Sequence, residues 1–180
     1  DHVSALSRIE ANALEGPRVR SFSGEHEMTL EEPWRALRAD NQIIEWPHSD
    51  FYVIHPSSGS SGFGVINPDC DRRAIPEFQQ RSLDALERDG MNPVPVRIVR
   101  LEGGAMELRV RIERANQVFE SYDTFRELPG SGVDGERPGC FWLHCVARHR
   151  YESQVQRACR SMAASLTRQT TEGSSSSEGD

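Results

Sequence analysis

Residues 106–113 alternate strictly between apolar and charged side chains, and this pattern limits the possible folds more than any other feature of the chain. The apolar positions are Met106, Leu108, Val110 and Ile112, and the charged positions are Glu107, Arg109, Arg111 and Glu113. Successive side chains of a strand point to opposite faces, so a strand of this kind buries one face only. The chain must therefore contain a sheet that is covered on at least one side.

The flanking segments predict an antiparallel sheet packed against helices. Strands are predicted at 41–46, 51–55, 64–66, 94–98, 106–113, 118–125 and 141–147, and helices at 74–88 and 151–166. The turns at 103–104 and 115–116 are short enough for hairpins between the later strands. The resulting order, β-β-β-α-β-β-β-β-α, indicates an α+β fold with an antiparallel sheet.

The chain is long enough for one ordinary core, and its ends are polar. Residues 1–33 are interpreted as an amphipathic helix and an extended docking segment, because helical spacing of apolar residues ends at Gly16. Residues 34–166 are predicted to form a single domain. Residues 167–180 carry only polar and small side chains, which predicts a disordered tail.

Charge and hydropathy argue against two classes of partner. The net charge is −7, the basic residues are all arginine, and no cluster of them resembles a nucleic-acid site. No stretch approaches the roughly eighteen apolar residues of a transmembrane span. The lack of lysine fits codon bias in a GC-rich genome, and selection for forked arginine contacts at an interface is the alternative.

The four cysteines, an even number in a loop-rich chain, favour an oxidising compartment. None of them forms the CxxC pair typical of zinc sites. Cys145 is predicted on the buried face of the last strand and Cys159 on the apolar stripe of the closing helix, so these sulfurs can meet. Cys70 and Cys140 are the remaining pair. Four buried thiols are the alternative. The chain opens at Asp1 rather than at Met, which we interpret as removal of a targeting segment.

Two local patterns resemble the PsbP/Mog1-like family. Residues 51–56, FYVIHP, resemble its opening strand, and residues 141–147 with 151–166 resemble its closing strand and helix. The resemblance covers residues 34–166 and implies an α-β-α sandwich. Most members are non-enzymatic, among them extrinsic subunits of photosynthetic complexes, small lipoproteins and immunity proteins. The resemblance therefore implies binding and assembly rather than catalysis.

No catalytic set, cofactor motif or complete metal site is predicted. His144 is expected to face solvent, on the opposite side of its strand from Cys145, and a metal site of His144, His149 and Cys145 is the less favoured alternative. The predicted interface consists of charged residues on or beside the central strand together with one tryptophan: Arg97, Glu107, Arg109, Arg111, Glu113 and Trp142. A solvated face with weak exposed ion pairs is the alternative.

These observations favour a non-enzymatic accessory or assembly subunit that binds proteins of a larger complex outside the cytosol, in the periplasm, a lumen or an organelle. The family resemblance implies a complex that is membrane-associated or photosynthetic. The alternative is a free extracytoplasmic binding protein, such as a small lipoprotein or an immunity factor. An enzyme of unrecognised type is the third hypothesis.

Overall fold

A large antiparallel sheet forms the centre of the computed structural model, which describes residues 17–21, 24–37, 50–67, 75–88, 90–128 and 139–168. The elements in chain order are β1 (Arg18–Arg20), β2 (His26–Thr29), β3 (Arg35–Leu37), β4 (Phe51–Ile54), β5 (Ser61–Asn67), α1 (Ile75–Arg88), β6 (Asn92–Arg100), β7 (Met106–Arg114), β8 (Gln117–Leu128), β9 (Gly139–Arg148), α2 (Glu152–Ala164) and β10 (Thr167–Arg168). The sheet order is β3-β4-β5-β9-β8-β7-β6, and every neighbouring pair is antiparallel. The predicted α+β class and antiparallel sheet are confirmed.

The helices α1 and α2 cover opposite faces of this sheet, which makes the fold an α-β-α sandwich. On the α2 side, β9 and α2 build the larger core, in which Leu143 and Met162 are fully buried. On the α1 side, the apolar residues of β7 pack with Leu83 and Leu86. Burial of Leu108 and its alternate neighbours follows directly from the alternation in the sequence.

Packing in the described structure extends to residues before 34, the predicted start of the domain. The strands β1, β2 and β10 form a second sheet, and Val19 and Met28 are buried in the α2-side core. The amide of Thr29 donates to the Ser165 hydroxyl at 2.8 Å and ties this sheet to the end of α2. Strands of two to four residues are too short to show a period, so the sequence predicts only a connector there.

Several predicted segments lie outside the described residues: the N-terminal helix, the strand at 41–46 and the tail beyond residue 168. Residues 167 and 168, which were expected to belong to the tail, instead pair with β2.

Two attachments hold α2 on the sheet. A disulfide joins Cys145 of β9 to Cys159 of α2, the pair that the sequence favours. Nη1 of Arg126 donates to the carbonyl oxygens of Ala163 and Leu166 at 2.9 and 3.1 Å. A helix leaves its last carbonyls without partners, and a cation suits the negative end of the helix dipole. These attachments fix the register of α2 against β8 and β9.

Cys140 is also disulfide-bonded, and none of the described cysteines is free. Its predicted partner, Cys70, lies outside the described residues.

Candidate functional site

The part of the charged face of β7 nearest α2 is internal. Glu107 is 0% exposed, and its two carboxylate oxygens accept hydrogen bonds from Arg160 at 2.6 Å each. Gln156 donates a third hydrogen bond at 2.8 Å. The hydrogen bond to Glu107 raises the pKa of Arg160. This placement corrects the expectation that Glu107 faces water or a partner, because α2 covers it and supplies its hydrogen bonds.

Arg109 forms a second bridge between the sheet and α2. It donates to Glu120 at 3.0 Å and to Glu152 at 3.1 Å, and its guanidinium lies 5.9 Å from the centre of the Tyr122 ring. The hydrogen bond to Glu120 raises the pKa of Arg109. Burial raises the pKa of Tyr122 above its usual range. Arg109 therefore already has two carboxylate partners within the chain.

The remaining predicted charges, Arg97, Arg111 and Glu113, stay exposed at the open end of the sheet. Arg111 and Glu113 lie 3.8 Å apart with about half of each side chain in solvent. The strand β6 is the last of the large sheet, so one of its edges pairs with no strand in the described part of the chain. The same strand carries large exposed apolar side chains, with 53, 47 and 56% exposure for Val94, Val96 and Ile98.

On the α1 side, Trp142 and His144 of β9 share one carboxylate oxygen of β8. Nε1 of Trp142 donates to Oδ1 of Asp123 at 2.9 Å, and Nδ1 of His144 lies 2.5 Å from the same oxygen. Asp123 is 0% exposed, and its Oδ2 has no hydrogen-bond partner in the described structure. An ionised carboxylate only accepts hydrogen bonds, so the proton of a neutral His144 lies on Nδ1.

His144 is only 8% exposed, which corrects the expectation that it faces solvent. The ring of Phe63 lies 4.8 Å from its ring centre, and α1 covers this side of the sheet. The alternative metal site with Cys145 is incompatible with the structure, because that sulfur is in a disulfide. Within the described ranges, no three His, Cys, Asp or Glu side chains form a group that could hold a metal ion.

An open cavity of about 270 Å³ lies between α1 and the sheet. Its walls are mainly apolar, and they include Phe63, Leu86, Phe119, Trp142 and Val146. The ionisable side chains that line it are His144 and Arg114. Trp142, predicted to lie opposite Leu143, does so, and it forms part of this wall rather than an exposed contact.

The sequence misses Asp123, although one relation could have found it. Asp123 stands directly opposite His144 in the antiparallel pairing of β8 and β9. Directly opposed side chains on one face lie close enough to interact. Predicting this contact requires the exact pairing register of β8 and β9. The long connection between the two strands leaves that register undetermined in the sequence.

The chain has a PsbP-like fold, in which an antiparallel sheet lies between helices and the last long strand is followed by a helix. The resemblance noted in the sequence is confirmed for the fold. None of the described helices is long and apolar enough to cross a membrane.

Two solved structures are similar over most of the chain. The solution structure of cyanobacterial PsbP (CyanoP) from Synechocystis sp. PCC 6803 has a TM-score of 0.60 and 12% identity, covering 88% of this chain and 94% of that one. The crystal structure of LpqN, involved in cell envelope biogenesis of Mycobacterium tuberculosis, has a TM-score of 0.57 and 13% identity, covering 91% and 95%. No protein-family model and no curated protein matches the sequence. Similarity at this level of identity shows the fold alone.

Proposed function

We propose that this chain is a non-enzymatic accessory protein that acts outside the cytosol and binds a protein partner along β6. The observation that carries the proposal is the concentration of exposed apolar surface on that strand. Among the described residues, the large hydrophobic side chains that are exposed are Val94, Val96 and Ile98, and all three lie on β6. We call them, with Arg97 and Arg100 of the same strand, the β6 edge.

Exposed apolar side chains gathered on one strand mark a contact surface more specifically than the same residues scattered singly. About half of each side chain remains in water, so each one that a partner covers should contribute roughly 1 kcal/mol. A sheet edge also presents unpaired backbone groups that an extended segment of another protein can use. Val94 is paired with Arg111 and Ile98 with Leu108, so these side chains lie on opposite faces of the sheet, and a segment that pairs along the strand would contact both faces.

The β6 edge is protected against pairing with a second copy of itself. Pro93 and Pro95 lack backbone N–H groups, and the register shifts between Pro95 and Arg97. Both features are typical of edges that natural proteins guard against indiscriminate pairing. Residues 97–100 beyond the shift keep their backbone donors. We therefore place the partner segment along this second half of the strand.

The charges of the β6 edge indicate the chemistry of the partner. Arg97 and Arg100 are exposed, and neither forms an ion pair within the described structure. They stand out on a chain whose net charge is −7. An extended segment with apolar and acidic side chains would complement this strand, since arginine forks pair with carboxylates at interfaces.

The compartment is inferred from the cysteines. The bond between Cys145 and Cys159, with Cys140 also oxidised, is typical of proteins outside the reducing cytosol. LpqN, which shares the fold, is involved in cell envelope biogenesis, a role that suits the same kind of location. The second candidate function, a free extracytoplasmic binding protein, is favoured by the cavity beneath α1.

Site-specific photo-crosslinking in the native cell tests the docking proposal. A photoreactive benzoylphenylalanine at Val96 should capture one defined partner, and the same group at Arg81, exposed on α1, should not. Ile98→Asp should abolish capture from position 96 without changing the melting temperature. Capture of the same proteins from both positions, or of a second copy of this chain, would contradict the proposal.

A further inference from the structure

The cavity between α1 and the sheet is lined by aromatic side chains and by the exposed Arg114, and we infer that it binds a small aromatic carboxylic acid. The inference does not depend on docking along β6. Apolar walls supply the area that a small molecule needs, and a few placed polar groups supply its orientation. Both kinds of group line this cavity.

The walls favour a flat ring system. Phe63 and Phe119 line the cavity together with Trp142, whose indole stacks on Phe125 with an angle of 1° between the ring planes. Trp142 and Phe63 meet edge to face at 5.2 Å. Aromatic rings held by such contacts present fixed faces and edges, which another ring can contact without further ordering. A volume of about 270 Å³ is at the lower end for ligand pockets, so the molecule must be small.

The His144 ring is oriented before any ligand arrives. Nδ1 is held by the fully buried Asp123, and the same carboxylate oxygen accepts from Trp142. Nε2, at the other end of the ring, makes no hydrogen bond to any described residue. It is thus the ring nitrogen that remains for a molecule in the cavity, and with the proton on Nδ1 it can accept a hydrogen bond.

The charges that line the cavity favour an acid over an amine. Arg114 is exposed and forms no ion pair in the described part of the chain. The nearby acid, Asp123, is fully buried and is not among the residues that line the cavity. A ligand carboxylate can accept from Arg114, whereas an ammonium group would meet an uncompensated arginine.

Calorimetric titration of the full oxidised chain with three matched probes tests the inference. The probes are 2-naphthoate, 2-naphthalenemethanol and 2-naphthylmethylamine, which share a ring system and differ in the polar group. We expect 2-naphthoate to bind with a Kd of about 1 mM or tighter, and the other two at least about tenfold more weakly. Binding should also shift the NMR signal of the Trp142 indole N–H, which donates to Asp123.

Two arginines of β7 give a matched pair of variants. Arg114→Gln should weaken 2-naphthoate binding about tenfold. Arg111→Gln, on the face of the strand turned away from α1, should change it by less than about twofold. Val146→Trp should abolish binding by filling the cavity, with the Cys145–Cys159 bond and the melting temperature as folding controls.

Failure of 2-naphthoate to bind at about 1 mM would overturn the inference. Equal affinity for the alcohol or the amine, or equal effects of the two arginine variants, would overturn the carboxylate specificity. Crosslinking from Val96 does not depend on any of these results, so the docking proposal is tested independently of ligand binding.

Discussion

Removing Arg160 should destabilise the fold far more than removing Glu107, although the two residues form one ion pair. Glu107 is fully buried, whereas the Arg160 side chain is 36% exposed. Arg160→Met leaves a carboxylate without its cation inside the protein, with Gln156 as its described hydrogen-bond donor. Glu107→Met instead leaves a cation that can turn toward water and places an apolar group of similar volume in the core.

Protonation sets a ceiling on the cost of the unpaired carboxylate. Placing a proton on a glutamate of ordinary pKa costs about 3.7 kcal/mol at pH 7 and about 1 kcal/mol at pH 5. Breaking one side of a buried pair typically costs about 3 to 5 kcal/mol, and the partial exposure of Arg160 favours the lower end. We expect Arg160→Met to cost about 3 kcal/mol at pH 7 and about 1 kcal/mol at pH 5. Glu107→Met should cost less than about 1 kcal/mol at either pH.

Urea unfolding of both single variants and the double variant at the two pH values measures these differences. The double variant should be about as stable as Glu107→Met alone, since the buried charge is absent from both. Arg81→Met is the matched control, because Arg81 and Glu77 also lie 2.6 Å apart but are exposed. It should cost less than about 0.5 kcal/mol. Equal costs for the two single variants, or a cost of Arg160→Met that does not change with pH, would refute the reasoning.

Three further changes test the packing and the titration of the fold. Replacing Cys145 and Cys159 together by alanine should lower the free energy of unfolding by about 3 kcal/mol, the chain-entropy value for a bridge spanning 14 residues; a loss below about 1 kcal/mol in urea would contradict it. Gly64→Ala should cost about 1 to 3 kcal/mol, because its Cβ would lie 2.9 Å from the Phe141 ring; an unchanged urea midpoint would show that the ring can move. Burial lowers the pKa of His26 below 6.5, so the unfolded chain binds a proton that the native protein does not, and stability is lost as the pH falls through that window. His26→Gln should flatten the dependence of unfolding free energy on pH between 7 and 5, and an unaltered slope would rule this out.

The buried apolar face of β7 could be predicted because the alternation of apolar and charged residues is visible within that one strand. The same is true of Cys145 and Cys159, each of which lies on the apolar side of its own element. Such predictions require only local geometry. They hold here because the central strands are long, with nine to twelve residues each in β7, β8 and β9.

The positions of Glu107 and His144 could not be predicted, since each depends on what covers a face. Alternation tells which side chains share a side of a strand, and it does not tell whether that side meets water or a helix. Arg160, which neutralises Glu107, lies 53 residues further along the chain. Asp123, which orients His144, lies 21 residues earlier in the neighbouring strand. The sequence does not determine how β8 and β9 are aligned.

The two proposed sites use different residues of the sheet. His144 and Trp142 belong to β9, and β8 and β7 lie between that strand and β6. The cavity also includes Ile112 and Arg114 of β7, one strand from β6, but among the described residues none that lines it belongs to β6. On the α2 side, Glu107, Arg109 and the disulfide already hold the helix against the sheet. Ligand binding beneath α1 should therefore leave crosslinking from Val96 unchanged. A change in the Val96 crosslink on saturation with 2-naphthoate would instead indicate that β7, which contributes to the cavity and pairs with β6, transmits the effect.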